Sequence, residues 1–122
     1  MKRLPQEIEV WYIIPAIRCE IAKAMIKKGI KQRNVARVIG MTDAAISQYM
    51  SGKRANKIVF NEKIKKEIDK SVEKIIKDNT KLNSEINKIC LYLRKTKFLC
   101  RVHNKFDKIP KGCRICIKEE KI

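Results

Sequence analysis

The residues best suited to chemistry are concentrated near the C-terminus. Three of the five cysteines and the only histidine fall within LCRVHNKFDKIPKGCRIC, Leu99 to Cys116. Cys100 and His103 form a C-x-x-H pair, and Cys113 and Cys116 form a C-x-x-C pair with Gly112 before it. Donors at this spacing grip one metal from a tight turn, and zinc accepts Cys100, His103, Cys113 and Cys116 as a closed tetrahedral site. Cys90 lies upstream, on the edge of a stripe made by Ile86, Ile89 and Leu93. Taken with it, Cys90, Cys100, Cys113 and Cys116 form an all-thiolate set that suits an iron–sulfur cluster. The cluster is the favoured cofactor, because it leaves only His103 over, whereas zinc leaves Cys90 without a role. The plainer alternatives are that Cys90 is a small core residue and that His103 is exposed among Arg101 and Lys105. Cys19 falls opposite the Ile17/Ile21 stripe and stands outside either set.

Size and charge bound what such a site serves. With 122 residues the chain holds one small domain plus an appendage, and a core of that size often leans on a metal or a second subunit. The formal net charge is +17, from 30 Lys and Arg against 13 Asp and Glu, and residues 1–60, 61–98 and 99–122 are each net positive. Such a field favours a polyanion, nucleic acid before an anionic membrane surface. The longest apolar run, Val10 to Ile17, contains a proline and is too short to span a bilayer. The expected compartment is the cytoplasm, where paired cysteines mean metal or redox chemistry more often than disulfides.

Three regions position these residues: a helix-turn-helix domain over 1–58, a helical connector over 59–97 and a Cys-rich tail over 98–122. Pro15 suits the first turn of a helix carrying Ile14, Ile17, Ile21 and Met25, with Gly29 as its C-cap. Gln32 to Ile39 fits a short helix that Gly40 ends. Thr42 then N-caps a third helix, burying Ala45, Ile46 and Tyr49, which Gly52 closes. From Asn61 to Asp78 an amphipathic helix places Ile64, Ile68, Val72, Ile75 and Ile76 on one stripe. That stripe fits a dimer seam or packing onto its own domain equally well. A further helix runs from about Ser84 to Lys95, and from Thr96 the chain is irregular, with FLCRVH and RICIK as short strands or knuckles.

Residues 30–54 read IKQRNVARVIGMTDAAISQYMSGKR: short helix, Gly40, three-residue turn, N-cap, second helix. This order crosses the second helix over the first with its N-terminus exposed, as in helices that enter a major groove. The motif resembles that of XRE (Cro-type) regulators, whose signature approximates Q-x-x-V/A-A-x-x-L/I-G-x-T/S-x-x-x-I/V-S-x-Y/W-x-x-G. Gln32, Val35, Ala36, Ile39, Gly40, Thr42, Ile46, Ser47, Tyr49 and Gly52 carry the match. VWYIIPAIRCEIAKAMIKKG is similar to the N-terminal part of a group of archaeal regulators bearing this motif. LYLRKTKFLCRVH and GCRIC are similar to that group's cysteine-bearing tail.

The resemblance implies a mainly α, lambda-repressor-like fold and a homodimer on double-stranded DNA. Carried onto this chain, the DNA-binding positions are Gln32, Arg33, Thr42, Asp43, Ala44, Ser47, Gln48, Lys53 and Arg54. Gln32 opens the first motif helix, where an amide and free N–H groups suit a phosphate. Gln48 suits adenine or a phosphate, the Ala44 methyl a thymine methyl, and Ser47 a base or the backbone. Lys53 and Arg54 suit flanking phosphates. Asp43 and Ala44 are shorter than the long amides usual there, so each half-site discriminates modestly and Asp43 chiefly stabilises the helix N-terminus.

The expected function is thus a DNA-binding transcriptional regulator whose metal centre senses redox state or iron. The alternative is a basic zinc-binding RNA- or ribosome-associated protein, which the few aromatics (three Phe, three Tyr, one Trp) disfavour as a base-stacking platform. A thiol redox enzyme using Cys113 and Cys116 lacks room for a βαβ unit, and no other catalytic constellation occurs. Neither a membrane nor a small-molecule substrate is an expected partner.

Overall fold

The apolar run around Pro15 is helical from well before the proline. In the computed structural model, which describes residues 4–54, 58–98 and 101–102, α1 spans Pro5–Ile8, a π-turn spans Glu9–Ile13, and α2 spans Ile14–Lys27. Pro15 therefore lies inside a continuous helical run and does not open one, contrary to the expectation from its sequence position. A proline within a helix removes one hydrogen bond and crowds the carbonyl four residues back. Here the π-turn comes directly before it, with the Ile14 N–H donating to the Glu9 carbonyl five residues back. That wider turn loosens the backbone where the ring would otherwise press.

The other helices are α3 (Gln32–Ile39), α4 (Asp43–Met50), α5 (Glu62–Lys77) and α6 (Leu82–Lys95), with a 3-10 turn at Asn79–Lys81 before α6. The described residues contain no strand. Side-chain caps start two of the helices: Thr42 Oγ1 accepts from Ala45 N–H at 3.1 Å and Asn61 Oδ1 from Ile64 N–H at 2.9 Å. Gly40 ends α3 in the left-handed region (φ +79°), and its N–H and that of Met41 both reach the Ala36 carbonyl. This tight stop lets α4 begin three residues later across α3.

The core is built around α2, which packs against α3, α4, α5 and α6. A helix covered on several sides buries more than one stripe. Ala16, Cys19 and Ala22 are buried along with Ile17, Ile21 and Met25. Cys19, placed by pattern opposite the buried stripe, is instead 4% exposed and lies 3.8 Å from the Tyr49 carbonyl, against α4.

Ile64, Ile68, Val72 and Ile75 of α5 join the same core cluster as Ile17, Ile21, Ile89 and Leu93. The stripe is thus buried within a single chain. Ile76, expected on it, is 37% exposed, one position off the buried line. Lys28, just past α2, pairs with Glu73 of α5.

Two buried carboxylates serve α6, one by joining it to the start of the chain and one by pairing within the helix. Glu9, in the π-turn, accepts from Arg94 Nε at 2.7 Å, which joins the start of the chain to the end of α6. Glu85 is fully buried and pairs with Lys88 at 3.0 Å. Beyond α6, Lys97 takes a positive φ of 64°, and the Arg101 N–H donates to the Lys97 carbonyl at 3.1 Å. The described part of FLCRVH is therefore helical and not a strand. Phe98 packs on Phe60 with ring centroids 5.5 Å apart, and Val102 is buried beside the core. RICIK lies outside the described residues.

Candidate nucleic-acid interface

α4 has two faces of different chemistry. Ala45, Ile46 and Tyr49 point into the core, while Thr42, Asp43, Ala44 and Ser47 are exposed and Gln48 is half-exposed. The exposed set consists of short polar or methyl side chains plus one amide, a surface that fits closely against base edges. Asp43 sits in the first turn of α4, where its charge complements the helix N-terminus. Past the helix, the Lys53 N–H closes onto the Gln48 carbonyl at 2.9 Å, so exposed Lys53 and Arg54 follow at a fixed place.

Gln32 connects the two helices of the motif. Its Nε2 donates to Ser47 Oγ at 2.7 Å and to the Asp43 carbonyl at 3.2 Å. The side-chain amide is therefore engaged in fixing α4 against the start of α3. The groups left open at that helix end are those of the backbone. α3 has no side-chain cap, and its preceding residue is Lys31 in extended conformation. The first N–H groups of a helix have no partner within the helix. Exposed Lys31, Gln32 and Arg33 surround them, so this helix end presents open N–H groups and positive charge to solvent. Lys31 was not among the positions expected from sequence. Its signal was the absence of Ser, Thr, Asn or Asp at a helix start, which leaves that end open.

Of the metal-ligand candidates, Cys90 alone lies among the described residues; Cys100, His103, Cys113 and Cys116 lie outside them. Cys90 is buried on α6. Burial, and then the negative charge of Glu9, push its thiol up to about 11, against a smaller opposing effect of Arg94. Among the described residues no three His, Cys, Asp or Glu side chains gather into a metal-sized group.

A helix-turn-helix family model matches residues 21–57, from within α2 to just past α4, under a third of the chain. No curated protein and no solved structure matches. Residues 21–57 thus form an XRE-type helix-turn-helix, in a mainly helical fold consistent with the lambda-repressor-like class. No helix among the described residues is long and apolar enough to cross a membrane.

Proposed function

We propose that the protein is a sequence-specific regulator of transcription that binds double-stranded DNA as a homodimer. The observation that carries this is the joint exposure of the outward α4 face and the uncapped, lysine- and arginine-flanked start of α3, locked together through Gln32. α4 then lies in the major groove, reading bases through Ala44, Ser47 and Gln48. The α3 N-terminus, Arg33, Lys53 and Arg54 hold phosphates on either side. The charge of +17 supports tight, salt-dependent association. So few reading groups specify a half-site weakly, and a second copy supplies the missing discrimination. Since the α5 stripe is buried within the chain, the dimer uses another surface.

The test is fluorescence anisotropy of labelled duplex DNA against single-stranded RNA over a salt series. Duplex preference with an affinity that falls steeply with salt supports the proposal, and Lys53→Ala lowers the salt slope by about 1. Preference for single-stranded RNA would instead support a basic RNA-binding protein.

The tail is proposed to bind a metal. An iron–sulfur cluster on Cys90, Cys100, Cys113 and Cys116 couples the tail to α6, whereas zinc on Cys100, His103, Cys113 and Cys116 staples the tail alone. The burial of Cys90 within the core cluster favours zinc: a small free cysteine there needs no metal to account for it. Bound there, zinc supplies structural cross-linking, and regulation arises elsewhere.

A further inference from the structure

A concave surface meets the proposed interface at Arg54. A cavity of about 370 Å³ opens between the π-turn, α2, the turn of the motif and the end of α4. Its walls are Trp11, Tyr12, Pro15 and Met41, and its charges are Arg18 and Arg54. The volume lies within the roughly 300–1,000 Å³ typical of small-molecule sites. The Tyr49 ring forms the floor, with its hydroxyl donating to Met41 Sδ at 3.2 Å. Both guanidiniums act on that hydroxyl: burial pushes Tyr49 up, and the charges of Arg18 and then Arg54 oppose it.

Three features define what fits. Among the described residues no acidic side chain lines the cavity, and neither Arg18 nor Arg54 forms an ion pair with a carboxylate. Two cations converging without a counter-ion attract an anion, and a guanidinium binds a carboxylate through two parallel hydrogen bonds. The aromatic rings and proline in its wall suit a flat apolar body. Apart from Arg54, the cavity shares no residue with the proposed DNA-contacting set. The residues of α4 that face outward are Asp43, Ala44, Ser47 and Gln48, whereas the α4 residue lining the cavity is Tyr49, 2% exposed.

Arg54 links the two surfaces. It lines the cavity and also follows α4 directly, where the proposed function gives it a DNA phosphate. We propose that this cavity binds a small aromatic carboxylate through Arg18 and Arg54, and that filling it withdraws Arg54 from DNA and weakens operator binding. The binding half stands on the cavity alone; the coupling rests on the DNA-binding function proposed above. The ligand shifts DNA affinity only to the extent that it binds the DNA-free state more tightly.

Trp11 is the only tryptophan, so its emission reports the cavity directly. The experiment titrates the full chain with benzoate, using acetate and benzyl alcohol as controls for the ring and the charge. The expected result is a saturable change with benzoate and at least tenfold weaker responses to both controls. Arg18→Met and, at the exposed position, Arg54→Met each weaken benzoate binding roughly tenfold or more, as loss of a charge-assisted hydrogen bond implies. Thermal melts verify that both variants fold. Saturating benzoate then lowers the affinity of wild-type protein for labelled duplex severalfold, and Arg54→Met removes that response. No saturable change, an equal response to benzyl alcohol, or unchanged binding in folded Arg54→Met overturns the site. Quenching of Trp11 by duplex alone, with no competition from benzoate, assigns the cavity to the DNA interface and overturns the proposal. Benzoate binding in a protein that binds no duplex supports the site and overturns the coupling together with the DNA-binding function.

Discussion

Gln32 Nε2 lies 2.7 Å from Ser47 Oγ and donates to it, so the first residue of α3 holds the middle of α4 across their exposed edge. The same amide donates to the Asp43 carbonyl, at the start of α4. Two bonds to points one turn apart fix the rotation of α4 about its axis, and therefore the direction in which Ala44, Ser47 and Gln48 face. Gln32→Ala is expected to cost about 0.5–1.5 kcal/mol of stability, the net worth of a partly exposed hydrogen bond. Its effect on duplex affinity should be larger than that of Arg33→Ala, which removes one charge and no orientation. Equilibrium unfolding and anisotropy on the same two variants make the comparison.

Gly40 sets the angle between the two helices through its backbone. A Cβ there meets no atom within 4 Å, so the penalty for alanine is purely conformational. Gly40→Ala should destabilise by about 1–2 kcal/mol, the cost of a left-handed φ for an L-residue. A urea titration measures it; a loss well under that range would mean that the turn rearranges cheaply.

The motif was legible because every one of its signals is local. Gly40, Thr42 and Gly52 are caps, and the buried set of α3 and α4 repeats at helical spacing. What escaped the sequence was long-range. A stripe reveals one buried face, but α2 is covered on several, so Cys19 looked peripheral. Pro15 resembled a helix start because the π-turn that accommodates it has no residue signature. The two fates of the α5 stripe, self-packing or dimer seam, share one pattern, and only the position of α2 and α6 separates them. The salt bridge from Glu9 to Arg94 spans 85 positions and leaves no periodic trace.

That bridge carries a prediction of its own. Glu9 is 7% exposed, and Glu9→Gln leaves the Arg94 guanidinium without its anion at the junction of the π-turn and α6. A loss of about 1–3 kcal/mol is expected, because a neutral amide replaces the charged acceptor of a partly buried guanidinium. Arg94→Met, which removes the cation from a buried carboxylate, should cost more, and unfolding of the two variants ranks them.

Acid should weaken the attachment of α6. Burial pushes the Glu85 carboxyl up, but hydrogen bonds from Lys88 and Ser71 and the charges of Lys88 and Lys74 outweigh it and hold it below the usual carboxylate range. A carboxyl lowered on folding contributes stability that is complete above its unfolded value and is lost as pH falls through the folded one. Melting temperature of the wild type should therefore drop more steeply than that of Glu85→Gln as pH is lowered below the ordinary glutamate range. Parallel curves would remove Glu85 as the cause.

Metal content separates the two ligand sets. If zinc is held by Cys100, His103, Cys113 and Cys116, anaerobically purified Cys90→Ser keeps one metal per chain and His103→Ala loses it. Elemental analysis with an absorption spectrum decides, and visible bands that vanish in Cys90→Ser would restore the iron–sulfur assignment.

In the proposed function α4 reads a duplex as one half of a symmetric pair. Selection of bound sequences from a random duplex pool tests it most directly. The expected result is enrichment of a two-fold related motif with half-sites about one helical turn, roughly 34 Å, apart, and loss of preference at one position per half-site in Gln48→Ala. A pool that emerges without an enriched motif would contradict it.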